Sequence, residues 1–224
     1  MKIVAEIPAR AGSKRVKNKN LRLLNGRPMI SYAIEAAKMS TILTDIYVNS
    51  DSDEIGNYSE SLGVRYYKRR KELAEDDSTS DDYNYDFFQS IKPDILVQIN
   101  PVCPLVESKD IDKILNYFVN NNFDSLITVR EERLQAFCEN KPINFDINGS
   151  LPRTQDISPI LICAWPICIW RRESFIKSYE EKGHALFSGK LDLYPVSFSL
   201  GLKVSYEEDF ILAGKFLKAY KNEK

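Results

Sequence analysis

The chain has 224 residues, 43% hydrophobic and 28% charged, with 31 Lys and Arg against 32 Asp and Glu for a formal net charge of −1. That is enough apolar material for one sizeable core, which argues against disorder, and the near-neutral balance argues against a long nucleic-acid track. Nothing approaches the ~20 apolar residues of a membrane span, and no long apolar stretch follows Lys2, so the chain reads as a single domain over 1–224, cytoplasmic, with no membrane or nucleic-acid partner.

Short apolar runs alternate with longer amphipathic ones, the rhythm of a mostly parallel α/β sheet with helices on both faces. The first strand is expected over residues 2–7. Behind it comes Ile7-Pro8-Ala9-Arg10-Ala11-Gly12-Ser13-Lys14-Arg15-Val16-Lys17-Asn18-Lys19-Asn20, a small-residue turn with clustered cations at a strand end. Across residues 1–28 the bases Lys2, Arg10, Lys14, Arg15, Lys17, Lys19, Arg22 and Arg27 face Glu6 alone. Gly12 lets the backbone approach a ligand, and Arg10, Lys14, Lys17 and Lys19 supply charge-assisted donors, which together suit a triphosphate. The spacing matches neither a P-loop nor a dinucleotide fingerprint. A solvated basic loop between a strand and a helix has the same charge pattern.

A helix follows with Ile30, Ala33, Ile34 and Ala37 on one face, then strands over 45–49 and 64–67, with Ser52 as a helix cap between them. Residues 68–80 pass from Lys and Arg to Glu and Asp, which fits either a segment that sets a guanidinium beside phosphates or a mixed-charge surface loop. A strand over 95–99 ends in Asn100-Pro101-Val102-Cys103-Pro104-Leu105, a proline-bounded turn whose amide can both donate and accept. Ser108 then caps a helix with Ile111, Ile114, Leu115 and Phe118 inward, and a strand spans 125–129. The rhythm breaks over 130–159, read as an excursion from the sheet. The apolar run 160–170 reads as a core strand with a dimer contact beside it, and the last helix, from Tyr206, turns Phe210, Ile211, Ala213, Phe216 and Leu217 inward. Cys103, Cys138, Cys163 and Cys168 lack metal-ligand spacing and are expected as buried free thiols, and His184, the only histidine, reads as a loop residue. In such a sheet the segments after the strand ends converge on one crevice.

At this point the residues resemble the CMP-sugar synthetases of the acylneuraminate cytidylyltransferase type. The opening run is similar to that family's Pro-Ala-Arg-x-Gly-Ser-Lys…Lys-Asn signature. Further likenesses are Gly26-Arg27-Pro28-Met29-Ile30, the strand end Val48-Asn49-Ser50-Asp51, residues 69–80, Asn100–Leu105, Pro152-Arg153-Thr154-Gln155-Asp156 and Glu207-Glu208-Asp209-Phe210. The resemblance implies a Rossmann-like sheet of the nucleotide-diphospho-sugar transferase type. It also implies an excursion at about 130–170 for acceptor binding and dimer contact, a homodimer, and transfer of CMP from CTP to a nonulosonic sugar acid with Mg²⁺ and release of pyrophosphate. Carried over by position, Ala9, Arg10, Gly12, Ser13, Lys14, Lys19, Asn20, Arg69, Asp76, Ser78 and Ser80 bind nucleotide. Arg10, Lys14 and Lys19 act on the reacting phosphates, and Asn100, Arg153 and Gln155 face the acceptor.

The departures are specific. Lys203-Val204-Ser205 stands where the family has the Asp-Ile-Asp that ligates Mg²⁺, and Trp165-Pro166-Ile167-Cys168-Ile169 replaces Asn-Gly-Ala-Ile-Tyr in the acceptor region. They leave open two other readings, a cytidylyltransferase for another anionic sugar or phosphorylated small molecule, and a non-catalytic nucleotide-binding subunit.

Overall fold

The computed structural model describes residues 1–12 and 15–222. The expected strands all form: β1 (Ile3–Pro8), β4 (Asp45–Ser50), β5 (Arg65–Lys68), β6 (Ile95–Ile99) and β7 (Ser125–Glu132). They belong to a seven-stranded sheet of order β11-β7-β10-β6-β1-β4-β5, where β10 is Ile160–Arg171 and β11 is Leu191–Val196. β1 pairs in parallel with both β4 and β6, whereas β10 runs antiparallel between β6 and β7. The run 160–170 is therefore a core strand. β11 escapes sequence reading because it is an edge strand, half-exposed along most of its length and broken in pattern by Pro195, a residue that sheets tolerate at edges.

Alternation along β1 explains the two layers. Ile3, Ala5 and Ile7 face a cluster built with α1 (Ile30–Lys38), α2 (Asp53–Ser61) and α4 (Ser108–Asn120), while Val4 faces Phe87, Phe88, Trp170 and Phe175 of the opposite layer. That second layer carries α3 (Ser80–Ile91) and α5 (Arg172–Lys182). The predicted inward residues of α1 and α4 are all buried. Ser52 caps α2 by accepting from Ile55 N. Ser108 does not cap α4. It is the first helical residue, one place beyond Glu107, whose N–H is held by the Asp110 carboxylate.

α6 (Glu207–Asn222) closes the fold against the small hairpin β2 (Leu23–Leu24) and β3 (Arg27–Pro28), through Phe210, Ala213 and Leu217. Ile211, expected inward, is 52% exposed, because one helical step carries it off the face that Phe210 and Ala213 define. The excursion between β7 and β10 holds a hairpin, β8 (Phe137–Cys138) with β9 (Lys141–Pro142). Only Cys103 and Cys168 are buried; Cys138 and Cys163 lie on this excursion and on the outer half of β10, where no layer covers them. No described helix is long and apolar enough to cross a membrane.

After β1 the chain first builds β4 and β5 on one side, then crosses to β6 on the other. That reversal opens a crevice between the carboxyl ends of β1 and β6.

Candidate active site

The cationic loop leaves β1 into this crevice and is pinned from below. Val16 is buried with Met29, Tyr32 and Val204, and Asn18 turns the chain in the left-handed region that asparagine tolerates, its carbonyl accepting from Leu21 N and Arg22 N. Asn20 is buried and donates to Arg10 O at 3.1 Å, so it ties the loop to itself rather than reaching outward. Ala9 is packed in the core and donates to Asn49 O. Gly12 is exposed with an ordinary φ, and an added Cβ would meet nothing; the fold does not require glycine there, and the open space faces solvent. Ser13 and Lys14 lie outside the described residues.

Arg10 crosses to the segment after β5, donating to Ala74 O, Glu75 O and the Asp76 carboxylate at 3.3–3.4 Å. Lys19 is half-buried and donates to Val204 O at 2.8 Å. Burial, reinforced by the charges of Arg15 and Lys203, pushes its ammonium down to about 8. The segments after β1, β5 and β6, together with the turn before α6, thus meet as the sheet topology requires.

Beside the loop lies a cavity of about 240 Å³ lined by Ser80, Tyr83, Gln98, Asn100, Trp165, Cys168, Leu186 and Lys203. Its wall is mostly hydroxyls, amides and one indole, a lining suited to a polyol, and among these described residues Lys203 alone is a cation. Asn100 is fixed by its N–H on Pro166 O at 2.9 Å. Trp165 is held at φ 64°, where the register of β10 against β7 slips between Cys163 and Cys168. A bulky residue in that region costs about 1–2 kcal/mol, and the slip aims the indole at the cavity instead of leaving it in the strand's alternation.

Under the cavity runs a buried polar layer. Tyr83 OH donates to Ser80 Oγ and accepts from Gln98 Nε2 at 3.1 Å, and Asn84 donates to Gln98 Oε1. Arg69 is 4% exposed, lies over the Tyr83 ring at 4.0 Å and donates to Asn49 Oδ1 and O at 2.8 and 3.1 Å. Asn49 donates in turn to Glu6, which is fully buried. Arg69 therefore supports the site from beneath and does not project into the open crevice. Ser80 lines the cavity, Ser78 Oγ is buried with no hydrogen-bond partner, and Asp76 faces Arg10. Arg153 and Gln155 are brought to neither loop nor cavity: both are exposed on the excursion, with Arg153 donating to Asp156 at 2.8 Å.

The sequence reading passed over Tyr83, Gln98 and Leu186. The signal for Gln98 and for Glu6 was present as a polar residue interrupting an apolar strand. Tyr83, one turn after Ser80, shares its helix face.

Mg²⁺, which the resemblance implies, does not fit the acids around this site. Asp51 accepts from Ala11 N at 3.0 Å, Glu207 is bidentate on Arg22 at 2.5 and 2.6 Å, and Asp209 accepts from Ser205 N and Tyr206 N at 2.8 Å. No group of three or more His, Cys, Asp or Glu that could hold a metal occurs among the described residues, and the turn that would carry the expected aspartates presents Lys203.

A family model described as "Cytidylyltransferase" matches residues 4–147, the stretch that contains the loop, the Arg69 segment and Asn100. The chain belongs to the cytidylyltransferase family. It is 29% identical over 222 residues to an N-acylneuraminate cytidylyltransferase of Streptococcus agalactiae serotype III (strain NEM316), covering 94% of this chain and 52% of that protein, so the chain spans about half the length of that relative. A post-translational flagellin modification protein B of Campylobacter coli is 29% identical and is matched over 98% of this chain and 96% of its own length. Among solved structures, a CMP:2-keto-3-deoxy-manno-octonic acid synthetase complexed with CTP superposes with a TM-score of 0.74 at 16% identity, covering 98% of this chain and all of that one. The chain thus keeps the fold of that synthetase with little shared sequence.

Proposed function

We propose that the chain transfers CMP from CTP to a nonulosonic sugar acid. An acceptor hydroxyl oxygen forms a bond to the α-phosphorus, the bond to the oxygen bridging to the β-phosphate breaks, pyrophosphate leaves, and the hydroxyl proton passes to solvent. The observation that carries this reading is the juxtaposition at the β1/β6 crevice of the Arg10–Lys19 loop with a hydroxyl- and amide-lined cavity. Arg10 and Lys19, with Lys14, neutralise the triphosphate and the leaving pyrophosphate, and the cavity aligns the acceptor, which is most of what in-line transfer requires. Family membership and the similarity to N-acylneuraminate cytidylyltransferases support CTP as the donor.

The exposed apolar side chains Leu134, Phe137, Ile143, Leu151, Leu161 and Ile162 lie on the excursion and the outer half of β10. They support a homodimer, and Arg153 and Gln155 enter the acceptor reading only across such a contact. The enzyme is assigned to the cytoplasm as the source of its nucleotide.

The test is pyrophosphate release from CTP, ATP, GTP and UTP against a panel of acceptors. Release with CTP and a nonulosonic acid is the expected result. Release only with another anionic sugar, which the Trp165 and Lys203 lining favours as the second reading, reassigns the acceptor. Saturable CTP binding with no release on any acceptor defeats the enzymatic reading.

A further inference from the structure

The turn 202–205 is anchored from three directions. Val204 N donates to Val102 O at 2.8 Å, Lys19 donates to Val204 O at 2.8 Å, and the Asp209 carboxylate takes Ser205 N at 2.8 Å. Leu202 and Val204 are buried, so the residue between them is turned the other way. Lys203 lines the cavity in company with Asn100 and Trp165, and its charge acts on both Lys19 and the buried Cys103. Two ammonium groups carried on separate segments, tied to each other through the Lys19 hydrogen bond to Val204 O, therefore converge where the loop meets the cavity. Of the acids that follow this turn, Glu207 is held by Arg22 and Asp209 spends its carboxylate on the backbone N–H groups of Ser205 and Tyr206.

We propose that Lys203 is the cation that neutralises the nucleotide phosphate at the boundary between loop and acceptor cavity, so that CTP is gripped without a protein-ligated divalent ion. The proposal rests on the reading that CTP occupies the loop. An ammonium is a compact charge with three donors, suited to non-bridging phosphate oxygens. The pinned backbone keeps it in place before the ligand arrives, so its attraction is not offset by ordering the turn.

Calorimetric titration of CTP into wild type, Lys203→Met and Lys203→Arg, each in EDTA and in Mg²⁺, tests this without reference to turnover. In EDTA the wild type binds within about threefold of its Mg²⁺ affinity, Lys203→Met loses about tenfold or more, and Lys203→Arg recovers most of the loss. Lys203 is exposed, so its replacement leaves the thermal midpoint unchanged. Wild-type binding that needs Mg²⁺ by more than about tenfold, or a Lys203→Met protein that binds in EDTA as wild type does, overturns the role given to Lys203. Absence of CTP binding by every variant in both buffers overturns the nucleotide reading itself, and the role of Lys203 with it.

Discussion

Glu6 offers a quantitative test of the buried layer under the cavity. It lies in the central strand, paired in register with Gln98 on one side and Tyr47 on the other, with no exposed surface. Burial raises its carboxyl from an ordinary 4.5 to about 7, against the opposing pull of the Arg69 guanidinium and the Asn49 hydrogen bond. A carboxyl with a raised folded value favours the folded state while protonated. Its contribution is complete below about 4.5 and is lost as pH rises through about 7. Each tenfold change in proton affinity is worth about 1.4 kcal/mol, so the whole change amounts to about 3 kcal/mol. Glu6→Gln keeps the size and an acceptor for Asn49 but has no proton to lose. Urea denaturation of both proteins at half-unit intervals from pH 5 to 9 isolates the effect, since every other titrating group is common to the pair. The stability of Glu6→Gln relative to wild type should climb by about 3 kcal/mol across this range and level off above about pH 8. A difference that stays constant with pH refutes the assignment of a buried, proton-holding Glu6.

Lys19 titrates in the opposite sense. Its ammonium is held down at about 8, a bound triphosphate restores its proton, and CTP affinity therefore falls by about tenfold between pH 7 and 9 with proton uptake near pH 8. Calorimetry in buffers of different ionisation enthalpy reads both quantities, and Lys19→Met should remove the slope. Packing gives an independent check at Gly56 on α2, where an added Cβ would lie 2.4 Å from the Tyr66 ring on β5. Gly56→Ala, despite its better helix propensity, should lower stability by about 1–3 kcal/mol in the same urea assay.

The parts of this molecule that were legible in its sequence share one property: a local pattern coincides with the tertiary role. Ile111, Ile114, Leu115 and Phe118 repeat at helical spacing and all face the core. β1, β4 and β6 are short apolar runs because both their faces are covered. The loop after β1 was visible because its cations are clustered within ten residues, and the sheet carries Arg10 and Lys19 to the crevice that strand order alone prescribes. Where the two levels part, sequence reading slipped. Ile211 belongs to the apolar pattern of α6 but lies one step off the buried stripe. Arg69 stands in a run of exposed charges, yet Asn49 and the Tyr83 ring hold it inside the fold beneath the site, a burial that its sequence neighbours do not announce. The cavity was least legible, since its lining comes from α3, β6 and the turn after it, β10, the segment before β11 and the turn before α6, which only closure of the sheet brings together.

Trp165 shows why this matters for function. In a regular β10 its side chain would follow the alternation of Cys163 and Ile167, and nothing in Ala164-Trp165-Pro166 announces otherwise beyond a proline that cannot donate to the ladder. The structure instead places it in a left-handed conformation at the register slip, opposite Phe187 and at the mouth of the cavity. The same slip frees Pro166 O to receive Asn100 N, so one local irregularity positions both the indole and the amide. A strained backbone that orients two cavity residues at once is stabilised by the surrounding sheet, because β10 pairs with β6 from Ile167 and rejoins β7 at Cys168, and Ile167 to Trp170 are buried. The cavity side of the crevice is therefore built by tertiary constraint, whereas the cationic side is built by a contiguous loop. That difference accounts for the loop being readable from the chain alone and the cavity only from the assembled sheet.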